Sequence, residues 1–120
     1  MLNIELDEGT AVCTLTPSGK LQVEDFSKVG TIIDPFIEQH GDMVGLMIAA
    51  ESFPGWADFS ALTAHLKFVR EHQKHVRKIA IVSDANILSI MPSLANHFVK
   101  AEVKHFDFSE KAQALAWLNQ

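Results

Sequence analysis

The sequence predicts an α/β domain, a four- or five-stranded mixed but mostly parallel sheet with about four helices packed against it. Three observations carry that reading. Residues 44–50 (VGLMIAA) and 78–84 (KIAIVSD) are short, nearly continuous apolar runs, the pattern of strands covered on both faces. Around and between them, apolar residues recur at helical spacing. Strands that alternate with helices imply right-handed crossovers and parallel neighbours in the sheet. With 120 residues, 48% hydrophobic and 21% charged, the chain is expected to form one domain over 1–120.

In chain order, Ile4 and Leu6 alternate with polar residues up to a turn at Glu8-Gly9. Ala11, Cys13 and Leu15 alternate in the same way up to Pro17-Ser18-Gly19, so the two segments read as a hairpin. Its first strand is the expected antiparallel exception. From Val23 to His40, Phe26, Val29, Ile33 and Ile37 form a helical stripe, with Glu24 and Asp25 where a helix start favours acid. Pro35 lies inside this helix and is expected to kink or divide it, because it removes the bond to Thr31. After the strand at 44–50, Phe59, Leu62, Leu66 and Val69 mark a second helix. Residues 87–101 read as a third, 103–107 as a short edge strand, and 110–118 as a last helix capped by Ser109. On that last helix, Ala114, Leu115 and Leu118 are expected to share one face.

Composition narrows the function. A formal net charge of −5 without a basic stripe argues against a nucleic-acid partner. The single cysteine, Cys13, forms no intrachain disulfide, and its place in a strand favours packing over reactivity. The first ten residues carry no signal-peptide pattern, and the longest apolar run is far below the roughly 20 residues of a membrane span. A soluble cytoplasmic protein without stable membrane insertion is expected. No phosphate-binding glycine motif and no nucleophile elbow occurs. His72 and His75 are spaced i, i+3, but their charged neighbours mark a solvated helix end, and no set of ligands converges at metal spacing. No cofactor, metal or catalytic residue is assigned. Asp58 and Asp84 stand at strand-to-helix junctions, where acids serve as caps and turn residues.

The stretch ESFPGWADFSAL, residues 51–62, concentrates three large aromatics, Phe53, Trp56 and Phe59, around a Pro-Gly turn. It follows a buried strand, so it belongs at the carboxyl end of the sheet, where open α/β folds bind ligands. Ile87, Leu88, Ile90 and Met91 arrive from the next such loop. These residues together read as the apolar wall of a ligand pocket, as a plug, or as an interface with a second chain.

The chain resembles the SpoIIAA-like proteins, small bacterial domains related to the STAS fold of anti-sigma factor antagonists and similar to lipid-binding CRAL-TRIO domains. The resemblance runs through TLTPSGKLQVEDF, VGLMIAAESFPGW, KIAIVSD and VKHFDFSEKAQALAWL, hence through nearly the whole chain. Phe106, Glu110, Ala114, Trp117 and Leu118 are its most specific carriers. It implies a STAS-like single domain. STAS antagonists switch by phosphorylation of a serine in an acidic-Ser-Ser-Gly turn after the buried strand. Here that stretch reads FPGWADFSAL, with Ser60 nearby but the turn itself missing.

The expectation is thus a noncatalytic binding module that carries or senses a small nonpolar, lipid-like ligand. Phe53, Trp56 and Phe59 would wall the pocket opposite Ile87, Ile90 and Met91. The helix beginning near Asp58 would be its lid, hinged at Gly55. Asp58, Ser60 and Asp84 are regulatory candidates. The alternative is a regulatory module of the anti-sigma antagonist type that docks a protein partner or forms a homodimer without the usual phosphoserine turn.

Overall fold

A computed structural model describes residues 2–52, 55–84 and 101–120. Five strands form one sheet in the order β1 (Leu2–Asp7), β2 (Val12–Pro17), β3 (Met43–Ala49), β4 (Val76–Val82) and β5 (Glu102–Phe106). Only β1 is antiparallel to its neighbour, in a register that sets Leu2 against Pro17 and Asp7 against Val12. The remaining pairs are parallel. Three α-helices complete the described fold: α1 (Val23–His40), α2 (Phe59–His72) and α3 (Lys111–Leu118). The expected helix at 87–101 lies almost wholly outside the described residues.

Side-chain alternation sorts the sheet into two cores, because neighbouring strand residues point to opposite faces. Cys13, Leu15, Leu46, Ile79 and Ile81 pack on one side with Phe26, Val29, Ile33 and Phe36 of α1. Val12, Met47, Ala49, Ala80 and Val82 pack on the other with Ala114 and Leu118 of α3. Cys13 is fully buried, and desolvation pushes its thiol up to about 11, so packing is its role.

Several local expectations change. Ala11 is not a strand residue: it takes φ 59° in the turn, and its carbonyl accepts from Val44 N at 3.0 Å and Gly45 N at 3.3 Å. Pro35 does not divide α1, which runs unbroken to His40. The proline removes one hydrogen bond, whereas Ile33 and Phe36 on either side of it are buried and hold the helix on the sheet. The last helix starts after a 3₁₀ turn at Phe108–Glu110, and Asp107 rather than Ser109 organises its start. There Glu110 Oε1 accepts from Asp107 N at 2.9 Å, and Asp107 O accepts from Glu110 N at 2.8 Å. Leu115 is 39% exposed while Ala114 and Leu118 are fully buried, since only the i, i+4 pair shares the stripe facing the sheet.

Candidate functional site

The largely apolar face under α1 and α2 is not filled. A cavity of about 110 Å³ lies there, floored by Leu15, Leu46, Ile48, Ile79 and Ile81 of three adjacent parallel strands. The register explains the floor: Leu15 pairs with Ile48 and Ile48 with Ile81, while Leu46 pairs with Ile79 one pleat below. Phe26 and Val29 of α1 close one side. His65, Phe68, Val69 and His72 of α2 close the other, at the i, i+3, i+4, i+7 spacing of a single helical face.

Two histidines are built into that wall. His65 stacks on Phe26 with ring centroids 4.8 Å apart and planes at 19°. Its Nδ1 accepts a hydrogen bond from Trp56 Nε1 at 3.0 Å, which fixes the neutral tautomer with hydrogen on Nε2. Burial lowers its pKa from 6.5 to about 4. His72 is not the solvated residue its neighbours announced. Its side chain is 14% exposed, stacks on Phe68 at 4.0 Å, and bridges Phe68 O and Asp34 Oδ1, each at 2.9 Å. It thereby ties the end of α2 to α1. His75 makes a similar but more exposed contact with Asp42, at 3.2 Å.

The buried neutral state of His65 has a measurable consequence. Between pH 6.5 and about 4 the unfolded chain takes up a proton at this residue that the folded chain refuses. Stability therefore falls as pH drops through that window, by on the order of 3 kcal/mol in full, and this contribution changes no further below it. His65→Phe keeps the stacking partner for Phe26 and is expected to remove this slope. Urea unfolding of both proteins at pH 7 and pH 5 measures the difference.

Of the residues singled out from sequence, Trp56 reaches the cavity indirectly, through His65. Its segment is strapped rather than loose: Leu21 and Trp56 form a parallel bridge, with Leu21 N donating to Gly55 O at 2.9 Å and Ala57 N donating to Leu21 O at 2.8 Å. Gly55 takes φ 82°, a conformation that favours glycine. Asp58 acts as a cap, its Oδ1 accepting from Ala61 N at 2.9 Å. Ser60 is exposed in the first turn of α2, of which Phe59 is the first residue. Asp84 N donates to Glu51 O at 3.2 Å. Phe53, Ile87, Leu88, Ile90 and Met91 lie outside the described residues.

Beyond the carboxyl ends of the strands lies a wide-open groove of about 320 Å³ between Thr16, Ala50, Glu51, Phe108 and Lys111, which shares Pro17 and Ala50 with the cavity. His65, His72 and the strand residues of the cavity floor were not chosen from sequence. The spacing of His65, Phe68, Val69 and His72 was the available signal, two histidines on an otherwise apolar stripe. Among the described residues no three His, Cys, Asp or Glu side chains lie close enough together to hold a metal ion, and no helix is long and apolar enough to cross a membrane.

A mixed, mostly parallel five-stranded sheet with α1 and α2 on one face and α3 on the other defines the STAS-like class. The SpoIIAA-like family model matches residues 12–119, and the chain belongs to that family. The SpoIIAA-like fold is consistent with a module of the anti-sigma antagonist type, a family that is generally noncatalytic. The chain is also similar to a crystal structure of an uncharacterized protein of the DUF3478 family with a SpoIIAA-like fold from Shewanella loihica PV-4. That similarity has a TM-score of 0.72 at 23% identity and covers 98% of this chain and 92% of the other. No curated protein matches.

Proposed function

We propose that the chain is a noncatalytic module that binds a small nonpolar ligand in the cavity beneath α1 and α2. The observation that carries this reading is a void of about 110 Å³ within a sheet–helix core. Protein interiors are close-packed, and voids larger than a water molecule are few. Leaving this one open costs stability that larger side chains at Ile48 or Val69 would recover, so its retention has a functional explanation. The volume sets a limit on the lipid-like expectation. Cavities of about 150 Å³ hold a benzene ring, so at about 110 Å³ this cavity takes a ring or an acyl chain only if α2 moves outward.

A second reading, a docking module of the antagonist type, is favoured by the exposed Ser60 in the first turn of α2. A phosphate there would meet the positive end of the helix. Native mass spectrometry followed by organic extraction separates the two. A stoichiometric nonpolar compound on the monomer supports the cavity reading. A ligand-free chain that captures a second copy or a partner in a Ser60-dependent way contradicts it.

A further inference from the structure

Because the cavity takes a ring only when α2 moves outward, whatever seats α2 decides when the site is open. Side chains tie α2 to its neighbours at two points. At one, His65 accepts from Trp56 Nε1, and Trp56 is itself strapped to Leu21 on the chain leading into α1. At the other, His72 reaches across to Asp34 of α1. His72 also lines the cavity, so an occupant that pushes α2 off α1 must stretch this second clasp.

The second clasp carries a requirement of its own. His72 Nδ1 lies 2.9 Å from Phe68 O, and Nε2 lies 2.9 Å from Asp34 Oδ1. A backbone carbonyl and a carboxylate only accept hydrogen bonds, so both contacts are bonds only when both ring nitrogens carry hydrogen. That state is the imidazolium. A neutral ring has one N–H, and its other nitrogen would set a lone pair against an oxygen lone pair. Losing the proton therefore removes one bond of the clasp and the positive charge that strengthens the other.

We propose that α2 is a proton-linked lid: protonated His72 clasps it to Asp34 over the cavity, and neutral His72 releases it to admit the ligand. This inference rests on the cavity being the ligand site. Ligand and proton then oppose one another, because each favours a different position of the same helix. Asp34 is the charged partner that α1 offers, with exposed Glu38 one turn further on. On α2 itself, Glu71 pairs with Lys67 at 3.9 Å and Arg70 is exposed. Beneath, Val76 and Ile79 of β4 are buried and apolar. His75 pairs with Asp42 and is not part of the cavity wall. Burial holds His65 at about 4, so it stays neutral through the range in which the lid is tested.

Toluene titrated by NMR between about pH 5.5 and about pH 8.5 provides that test, on wild type, Asp34→Asn and Asp42→Asn. Wild-type affinity should rise about tenfold from the acid to the alkaline end, within the usual range of such couplings. Binding in mid-range should release protons, read by calorimetry in buffers of different ionisation enthalpy. Asp34→Asn keeps the side-chain shape without the charge, and its affinity should change less than about threefold over the same range. Asp42→Asn should follow wild type. The lid is overturned, although the cavity reading stands, if wild-type affinity is flat or higher in acid. It is equally overturned if Asp34→Asn keeps the full pH dependence or if Asp42→Asn abolishes it. If toluene binds none of the three proteins at any pH, the cavity reading fails and the lid with it.

Discussion

Ile48→Phe is expected to abolish toluene binding, a loss of at least about a hundredfold, while the protein stays folded. Ile48 sits in the middle of the cavity floor, half-buried, between Leu15 and Ile81 on the flanking strands. A phenyl ring grown from this position projects into the void that the ligand would fill. Inserting bulk into a packed core costs typically about 1–3 kcal/mol. Inserting it into an existing cavity avoids that strain and regains dispersion contacts. The melting temperature of Ile48→Phe should therefore match or exceed that of wild type. A variant that still binds toluene would show that the ligand sits elsewhere, and the open groove beside Phe108 would then be the next place to look.

The opposite face of the sheet has no such slack. An added Cβ at Gly45 would lie 2.6 Å from Leu118 Cδ2 and 3.2 Å from its Cγ, with Leu118 itself fully buried. Rotating one terminal methyl does not relieve a clash that also involves Cγ. Gly45→Ala should cost about 1–3 kcal/mol by overpacking, and Leu118→Ala about 2–5 kcal/mol by opening a cavity. Against a total stability of about 5–15 kcal/mol, either is a large fraction. The two changes are complementary in shape, so the double variant should lose clearly less than the sum. Strict additivity in urea unfolding would mean that α3 does not seat on Gly45.

The sheet was legible because its carriers are local. The apolar runs at 44–50 and 78–84, and the alternation around Ile4 and Cys13, specify strands without knowledge of partners. Boundaries that depend on caps were less so: Ser109 was the expected cap, yet Asp107 and Glu110 supply it through a reciprocal pair that only the folded turn reveals. The cavity was hidden for a different reason. Periodicity reports which residues face inward, and Leu15, Leu46 and Ile81 face inward whether or not the space between them and α2 is filled. His72 was misread because its sequence neighbours are charged, whereas its environment is set by Phe68 one turn earlier and by Asp34 on another helix. Trp56 was read as a pocket wall from its loop. In the fold it holds the loop to α2 through His65, and His65 meets the cavity.

The most direct measurement is a benzene titration followed by methyl NMR, with the isoleucine and leucine methyl groups labelled. Saturable shifts centred on Leu46, Ile48, Ile79 and Ile81, with Leu118 on the far face unmoved, are the predicted result. Shifts that fail to saturate, or that centre on the α3 side of the sheet, would contradict a ligand cavity beneath α1 and α2.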